Sequence, residues 1–216
     1  MPHSYQCNDD RKITSNKYFG RRECGLPEEG FIFTCFSNIY KIDIKVFKAC
    51  MKLLLNKRGS VLWLLKSNIY AESNIREAAK KSGVNPERII FANRVPLDIH
   101  LARHKSGDLF LDTFNYNSHT TASDALWAGM PLVTLKGKTF SARVGASLLT
   151  SLGIPELITS SVDEYIDLAL ELANNKEYLH EVRLKIQTLR KRATLFNSKQ
   201  FLKDIEDKYL SLIKRR

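Results

Sequence analysis

From residue 31 to about residue 135 the chain alternates short apolar runs with stretches in which apolar residues recur every three or four positions. Phe31-Ile32-Phe33-Thr34-Cys35-Phe36, Val61-Leu62-Trp63-Leu64-Leu65, Arg88-Ile89-Ile90-Phe91, Leu109-Phe110-Leu111 and Pro131-Leu132-Val133-Thr134-Leu135 read as five strands covered on both faces. Between them, helical periodicity predicts helices over residues 43–56, with Ile44, Phe47 and Met51 on one stripe, over 72–81, ending at Gly83, and over 98–106. Strands and helices alternating at this spacing form βαβ units with right-handed crossovers. The expected fold class is α/β, a Rossmann-like parallel sheet flanked by helices, with a helical C-terminal tail.

The pattern also divides the chain. Residues 1–30 are polar and broken by Gly20, Gly25, Pro27 and Gly30, and read as a connecting segment; 31–175 read as the sheet domain and 176–216 as C-terminal helices. Within 141–175, a helix is expected over 141–152, and Ser161-Val162-Asp163-Glu164 has capping-box spacing ahead of another. In the tail, Tyr178, Val182, Ile186 and Leu189 stripe one helix and Leu202, Ile205, Tyr209 and Leu212 the next. Both stripes are expected in the core.

Ligands of open α/β sheets bind beyond the carboxyl ends of the strands. Three polar clusters fall there: Ser37-Asn38-Ile39-Tyr40-Lys41, Asn93-Arg94-Val95-Pro96 leading to His100 and Arg103, and Asn117 to Asp124. The third belongs to LFLDTFNYNSHTTASDALWAG, a buried strand, a polar loop and a helix start in succession. A helix beginning at residues 119–121 presents free N–H groups beside two threonine hydroxyls and an imidazole, a good seat for phosphate oxygens. Thr121-x-x-Asp124 is also spaced as a helix cap. His100 and Arg103, three residues apart, share a helix face. Neither a GxGxxG nor a GxxxxGK[ST] motif is present.

Composition narrows the classes. With 216 residues, 44% hydrophobic and 26% charged, this is a globular chain. No apolar run reaches a membrane span, and MPHSYQCNDDRK lacks a signal-peptide core, so no membrane partner and a cytoplasmic location are expected. Cys7, Cys24, Cys35 and Cys50 lack metal-ligand spacing and read as free thiols. The net charge of +11 admits phosphorylated ligands or nucleic acid. The cations are dispersed, however, with clusters only at Arg190-Lys191-Arg192 and Lys214-Arg215-Arg216, and no nucleic-acid motif accompanies them, so specific nucleic-acid binding is not expected.

FTCFSNIYKID, RIIFANRVPLDIHLARH, DLFLDTFNYNSHTTASDALWAGMPLVTLKG and SARVGASLLTSLGIPELI together resemble the C-terminal catalytic half of the protein O-linked N-acetylglucosamine transferase and SPINDLY family, glycosyltransferase family 41. The resemblance implies the nucleotide-binding half of a GT-B glycosyltransferase that takes a UDP-sugar as substrate, needs no cofactor or metal ion, and glycosylates Ser or Thr of proteins with inversion. It implies Lys41 as the catalytic cation at the diphosphate, with Asn38 assisting. His119, Thr120 and Thr121 would grip the diphosphate, Asp124 the ribose, and Val95, His100 and Arg103 the uracil. Two positions depart from the family pattern: Ser37 stands where asparagine is usual, and Leu97 where many relatives carry a nucleotide-contacting lysine. MPHSYQCNDD resembles the end of the N-terminal half. The expected partners are therefore the donor, a protein acceptor and the rest of the GT-B enzyme or a tetratricopeptide-containing partner. The alternative is a catalytically silent nucleotide- or partner-binding fragment, and the sugar stays open among N-acetylglucosamine, fucose and glucose.

Overall fold

The computed structural model describes residues 1–17 and 19–214, so the end of the Lys214-Arg215-Arg216 cluster lies outside the described residues. Strands and helices alternate as the apolar pattern predicts: β1 (Ile32–Cys35), α1 (Ile44–Asn56), β2 (Val61–Leu65), α2 (Ile69–Lys81), β3 (Ile89–Ala92), α3 (Leu97–Arg103), β4 (Leu109–Leu111), α4 (Thr120–Trp127), β5 (Leu132–Leu135), α5 (Val144–Leu152), β6 (Ile158–Thr159), α6 (Val162–Asn174), α7 (Lys176–Leu189) and α8 (Ser198–Ile213). The strands form one sheet in the order β3-β2-β1-β4-β5-β6, and every pairing is parallel. Its direction of winding reverses between β1 and β4, which opens a crevice at their carboxyl ends.

The runs that predicted strands are buried on both faces because helices cover both. β1, β2 and β4 are fully buried along their lengths, and Phe33, Phe36, Trp63 and Phe110 fill the space between sheet and helices. Burying a side chain of this size contributes about 1.5–3 kcal/mol. α6 returns from the sheet edge to pack against α1. Its start follows the capping box: the Ser161 hydroxyl accepts the Glu164 N–H at 3.1 Å. α1 is capped by Asp43, whose Oδ1 accepts from the N–H groups of Lys45 at 2.8 Å and Val46 at 3.0 Å.

Three details differ from the sequence expectation. α2 starts at Ile69 rather than near residue 72, because the Asn68 side chain accepts the Ala71 N–H at 2.9 Å and caps the helix a turn early. A sixth strand, only two residues long, extends the sheet beside β5. The α8 stripe is not core: Leu202, Tyr209 and Leu212 are exposed, whereas Val182 and Ile186 of α7 are buried.

The first thirty residues pack along the helices rather than standing clear. The His3 carbonyl accepts from the Ser151 hydroxyl of α5 at 2.8 Å, the Asp10 carboxylate accepts from the Ser198 hydroxyl at the start of α8 at 2.8 Å, and the Ser15 N–H donates to the Asp98 carbonyl of α3 at 3.1 Å. Further on, the Arg21 guanidinium meets the Asp108 carboxylate at 2.8 Å beneath β4.

Candidate functional site

The loops after β1 and β4 flank the reversal point, and Lys41 joins them. A short 3-10 turn over Ile39–Lys41 turns this side chain across the crevice, where its ammonium donates to the Asn117 carbonyl at 3.0 Å and sits 3.8 Å from the centre of the Tyr116 ring. Burial lowers the Lys41 pKa, opposed by the charges of Tyr40, Asp112 and Cys35. The two loops are also tied by a hydrogen bond between the Ser37 and Ser118 hydroxyls, and by Asn115, whose amide donates to Asp43 Oδ2 at 2.6 Å.

A buried carboxyl shapes the β4 loop. Asp112 Oδ1 accepts the N–H groups of Thr113 at 2.8 Å and Ser118 at 2.6 Å, while Oδ2 accepts the Thr134 hydroxyl of β5 at 2.6 Å. Burial nevertheless raises the Asp112 pKa to about 6, the hydrogen bonds opposing it. Asn117, also buried, donates through Nδ2 to the Thr113 carbonyl at 2.5 Å and accepts the Gly145 N–H at 3.1 Å. Gly145 is obligatory here: a Cβ would lie 2.3 Å from Asp112 Oδ2 and 2.4 Å from Thr134 Oγ1. These bonds hold the Asn117 carbonyl toward Lys41 and lead the chain into α4.

At the α4 N-terminus, His119 occupies the cap position and no side chain caps the helix. The first N–H groups of Thr120 and Thr121 are thus left for a ligand or water. The Thr121–Asp124 capping box read from the sequence is not formed. Asp124 turns instead to Lys12, whose ammonium stands 2.6 Å from Oδ1, with both side chains under a tenth exposed. His119 is held from the same segment by Tyr5, whose hydroxyl lies 2.6 Å from Nδ1.

The second predicted cluster is split. His100 and Arg103 do share a face of α3, but that face looks inward: Arg103 is buried, its guanidinium 4.7 Å from the Phe36 ring centre, donating to the Asn93 carbonyl at 2.5 Å and to His100 Nδ1. Burial pushes the His100 pKa down to about 2, helped by the charges of His104 and Arg103, so this imidazole is neutral. Val95 and Leu97 are exposed beyond β3. Arg94 donates to Asn38 Oδ1 at 2.9 Å, linking the loops after β1 and β3 beside a cavity of about 290 Å³ that Asn38, Tyr40, Lys66 and Asn68 also line. The structure therefore brings together Asn38, Lys41, His119, Thr120, Thr121 and Asp124 around the crevice, with His100 and Arg103 behind it.

Sequence reading gave Asp112 and Asn117 no role of their own and passed over Tyr116, although an aspartate closing an apolar strand in a buried loop is a readable sign of a hydrogen-bond hub. It had no signal for Tyr5 or Lys12. Among the described residues, no group of three or more His, Cys, Asp and Glu is placed to hold a metal ion, and no helix is long and apolar enough to cross a membrane.

A parallel sheet ordered 3-2-1-4-5-6, with a lysine and an uncapped helix N-terminus at the reversal point, is a Rossmann-like α/β fold of the kind that forms one half of GT-B glycosyltransferases. The chain belongs to glycosyltransferase family 41, whose model matches residues 6–205. It is 36% identical over 187 residues to the UDP-N-acetylglucosamine–peptide N-acetylglucosaminyltransferase of Caenorhabditis elegans, covering 87% of this chain and 16% of that protein. It is 34% identical over 218 residues to the probable UDP-N-acetylglucosamine–peptide N-acetylglucosaminyltransferase SEC of Arabidopsis thaliana, covering 98% of this chain and 22% of that protein. Among solved structures, a mutant of the Thermobaculum terrenum O-GlcNAc transferase superposes with a TM-score of 0.78 at 31% identity, over 83% of this chain and 35% of the other. The chain thus spans less than a quarter of the length of each of these two curated relatives.

Proposed function

We propose that this chain forms the donor-binding part of an inverting protein O-glycosyltransferase that takes UDP-N-acetylglucosamine and glycosylates Ser or Thr hydroxyls. The observation that carries the reading is the Lys41 ammonium, fixed at 3.0 Å on the Asn117 carbonyl opposite the uncapped start of α4. A diphosphate placed between them meets a cation on one side and helix N–H groups on the other. The relatives named for UDP-N-acetylglucosamine and peptide acceptors support this choice of sugar and acceptor class.

In the proposed reaction the acceptor oxygen bonds to the anomeric carbon from the face opposite the leaving group. The bond from that carbon to the β-phosphate oxygen breaks, its electron pair leaves on UDP, and the hydroxyl proton is released. Negative charge grows on the phosphate as the bond breaks, so Lys41 stabilises the transition state more than the bound donor. Thr120 and Thr121 offer hydroxyls and N–H groups to the same oxygens, and Asp124 offers acceptors to the ribose diol. No cofactor or metal enters this scheme.

The test is thermal unfolding with and without UDP, alongside donor hydrolysis and peptide-transfer assays. UDP should raise the melting temperature of the native chain, and Lys41→Ala should abolish most of that rise while leaving the ligand-free melting temperature nearly unchanged. A native chain indifferent to millimolar UDP would overturn the proposal. Binding without hydrolysis or transfer would favour the silent nucleotide-binding alternative.

A further inference from the structure

Two of the side chains assigned to the donor are held by one polar segment that the sequence marked only as a connecting segment resembling the end of the N-terminal half. Lys12 reaches Asp124 across 112 positions of sequence, and Tyr5 reaches His119 across 114. The segment between them is anchored on both sides of these contacts, at His3 on α5, Asp10 on α8 and Ser15 on α3. Ser4 and Asn8 within it are buried. It is therefore a fixed wall of the crevice.

Resting on the donor-site reading above, we infer that this segment belongs to the nucleotide site, with Tyr5 and Lys12 as positioning residues that prepare His119 and Asp124 for a nucleoside diphosphate. The Tyr5 hydroxyl has one proton to give. Its contact with His119 Nδ1 at 2.6 Å is much the better placed, the alternative being Gln6 Oε1 at 3.4 Å. A phenol is a stronger acid than a neutral imidazole N–H, so Tyr5 donates and Nδ1 accepts, which puts the ring proton on Nε2. Edge contacts with the Tyr5 ring at 5.7 Å and the Tyr116 ring at 4.9 Å fix the imidazole plane. Nε2 is buried and makes no hydrogen bond of good geometry among the described residues. Burial lowers the His119 pKa, the Ser141 carbonyl opposing and Lys41 reinforcing, which favours the neutral ring.

Lys12 solves a different problem. A carboxylate able to bind a ribose diol also repels the diphosphate attached to it. The Lys12 ammonium cancels that charge through Oδ1 and leaves Oδ2 as an acceptor. The segment thus brings a second lysine to a site that Lys41 serves from the opposite loop.

Two measurements on the full chain test the inference. The first is two-bond 15N–1H NMR of labelled histidine in the ligand-free protein. The native chain should show His119 as the Nε2–H tautomer, and Tyr5→Phe should shift it to a mixture; an Nδ1–H tautomer in the native chain, or no change in Tyr5→Phe, refutes the Tyr5 role. The second is calorimetric titration with UDP and with uridine. Lys12→Ala should weaken UDP by about tenfold and uridine by about threefold or less, and Lys12→Arg should restore most of the loss. Equal weakening of both ligands would mean a merely structural lysine, and tighter binding of both would mean that Lys12 competes with the ribose; either overturns the Lys12 role. A native chain that binds neither ligand overturns the donor-site reading and Lys12's part with it, whereas the tautomer spectrum still decides Tyr5.

Discussion

At the scale of single residues, Asp112 has the most to do with the shape of the crevice without facing a ligand. Its carboxyl gathers two N–H groups and a hydroxyl from two strands' ends, and Tyr165 donates to its backbone carbonyl at 3.0 Å. Burial still outweighs these bonds and raises its pKa from 3.8 to about 6. The folded chain therefore keeps this proton over a range in which the unfolded chain has lost it. Stability from this group falls as pH rises from about 4 to about 6 and is level above that. His104, buried beneath Phe36 with its pKa pushed down by burial to about 4, works in the opposite sense: its contribution is lost as pH falls below about 6.5. The two slopes overlap, so the native chain alone does not isolate Asp112. Subtracting the unfolding free energy of Asp112→Asn from that of the native chain does: the difference should fall by on the order of 2 kcal/mol between pH 4 and pH 6, as read from urea melts. A difference that is flat with pH would show that Asp112 titrates normally.

At the scale of elements, the loop after β1 is held by the helix that follows it. Asp43 caps α1 with one oxygen and takes the Asn115 amide with the other, so helix start, Lys41 and the β4 loop are tied through one side chain. Asp43→Ala should lower stability by about 1–2 kcal/mol, the ordinary cost of a lost cap. It should also weaken UDP binding, whereas Ser161→Ala, which removes the cap of α6, should cost similar stability and leave UDP binding unchanged. Chemical unfolding and calorimetry on the pair check this; equal effects on UDP would detach Asp43 from the site. The Ser161 cap was legible in the sequence, as were five strands, because each lies beside an apolar run whose period declares the element; the Asp43 cap was not read. β6 was not, since Ile158–Thr159 is two residues long and has no period. The Thr121–Asp124 spacing misled for a related reason: a local pattern suggested a cap, but a lysine 112 positions away offered the carboxylate a charged partner. His100 and Arg103 were placed on the right helix face, yet periodicity says only that residues share a face. That the face turns toward Phe36 and Trp63 depends on how α3 crosses back over the sheet.

At the scale of the whole molecule, the formal charge of +11 is compatible with two kinds of anionic partner that differ in how many charges they engage at once. Several cations are already engaged with carboxylates: Arg21 and Arg183 converge on Asp108, Lys12 on Asp124 and Lys185 on Glu156. Arg88 spends its guanidinium on the carbonyls of Ser60, Leu54 and Lys57. What faces the crevice is Lys41 with the start of α4, enough for one diphosphate. A ligand held there exchanges few counterions, whereas a nucleic-acid duplex running over a basic surface exchanges one for nearly every phosphate it contacts. The logarithm of UDP affinity should therefore fall against the logarithm of salt with a slope of roughly −1 to −2, and uridine affinity should hardly change between about 50 and 500 mM NaCl. The same titration with a random duplex should give weak binding that disappears by about 200 mM. A duplex bound tightly with a slope of about −6 or steeper would instead make the dispersed cations a nucleic-acid surface, and would move the function away from the crevice between β1 and β4.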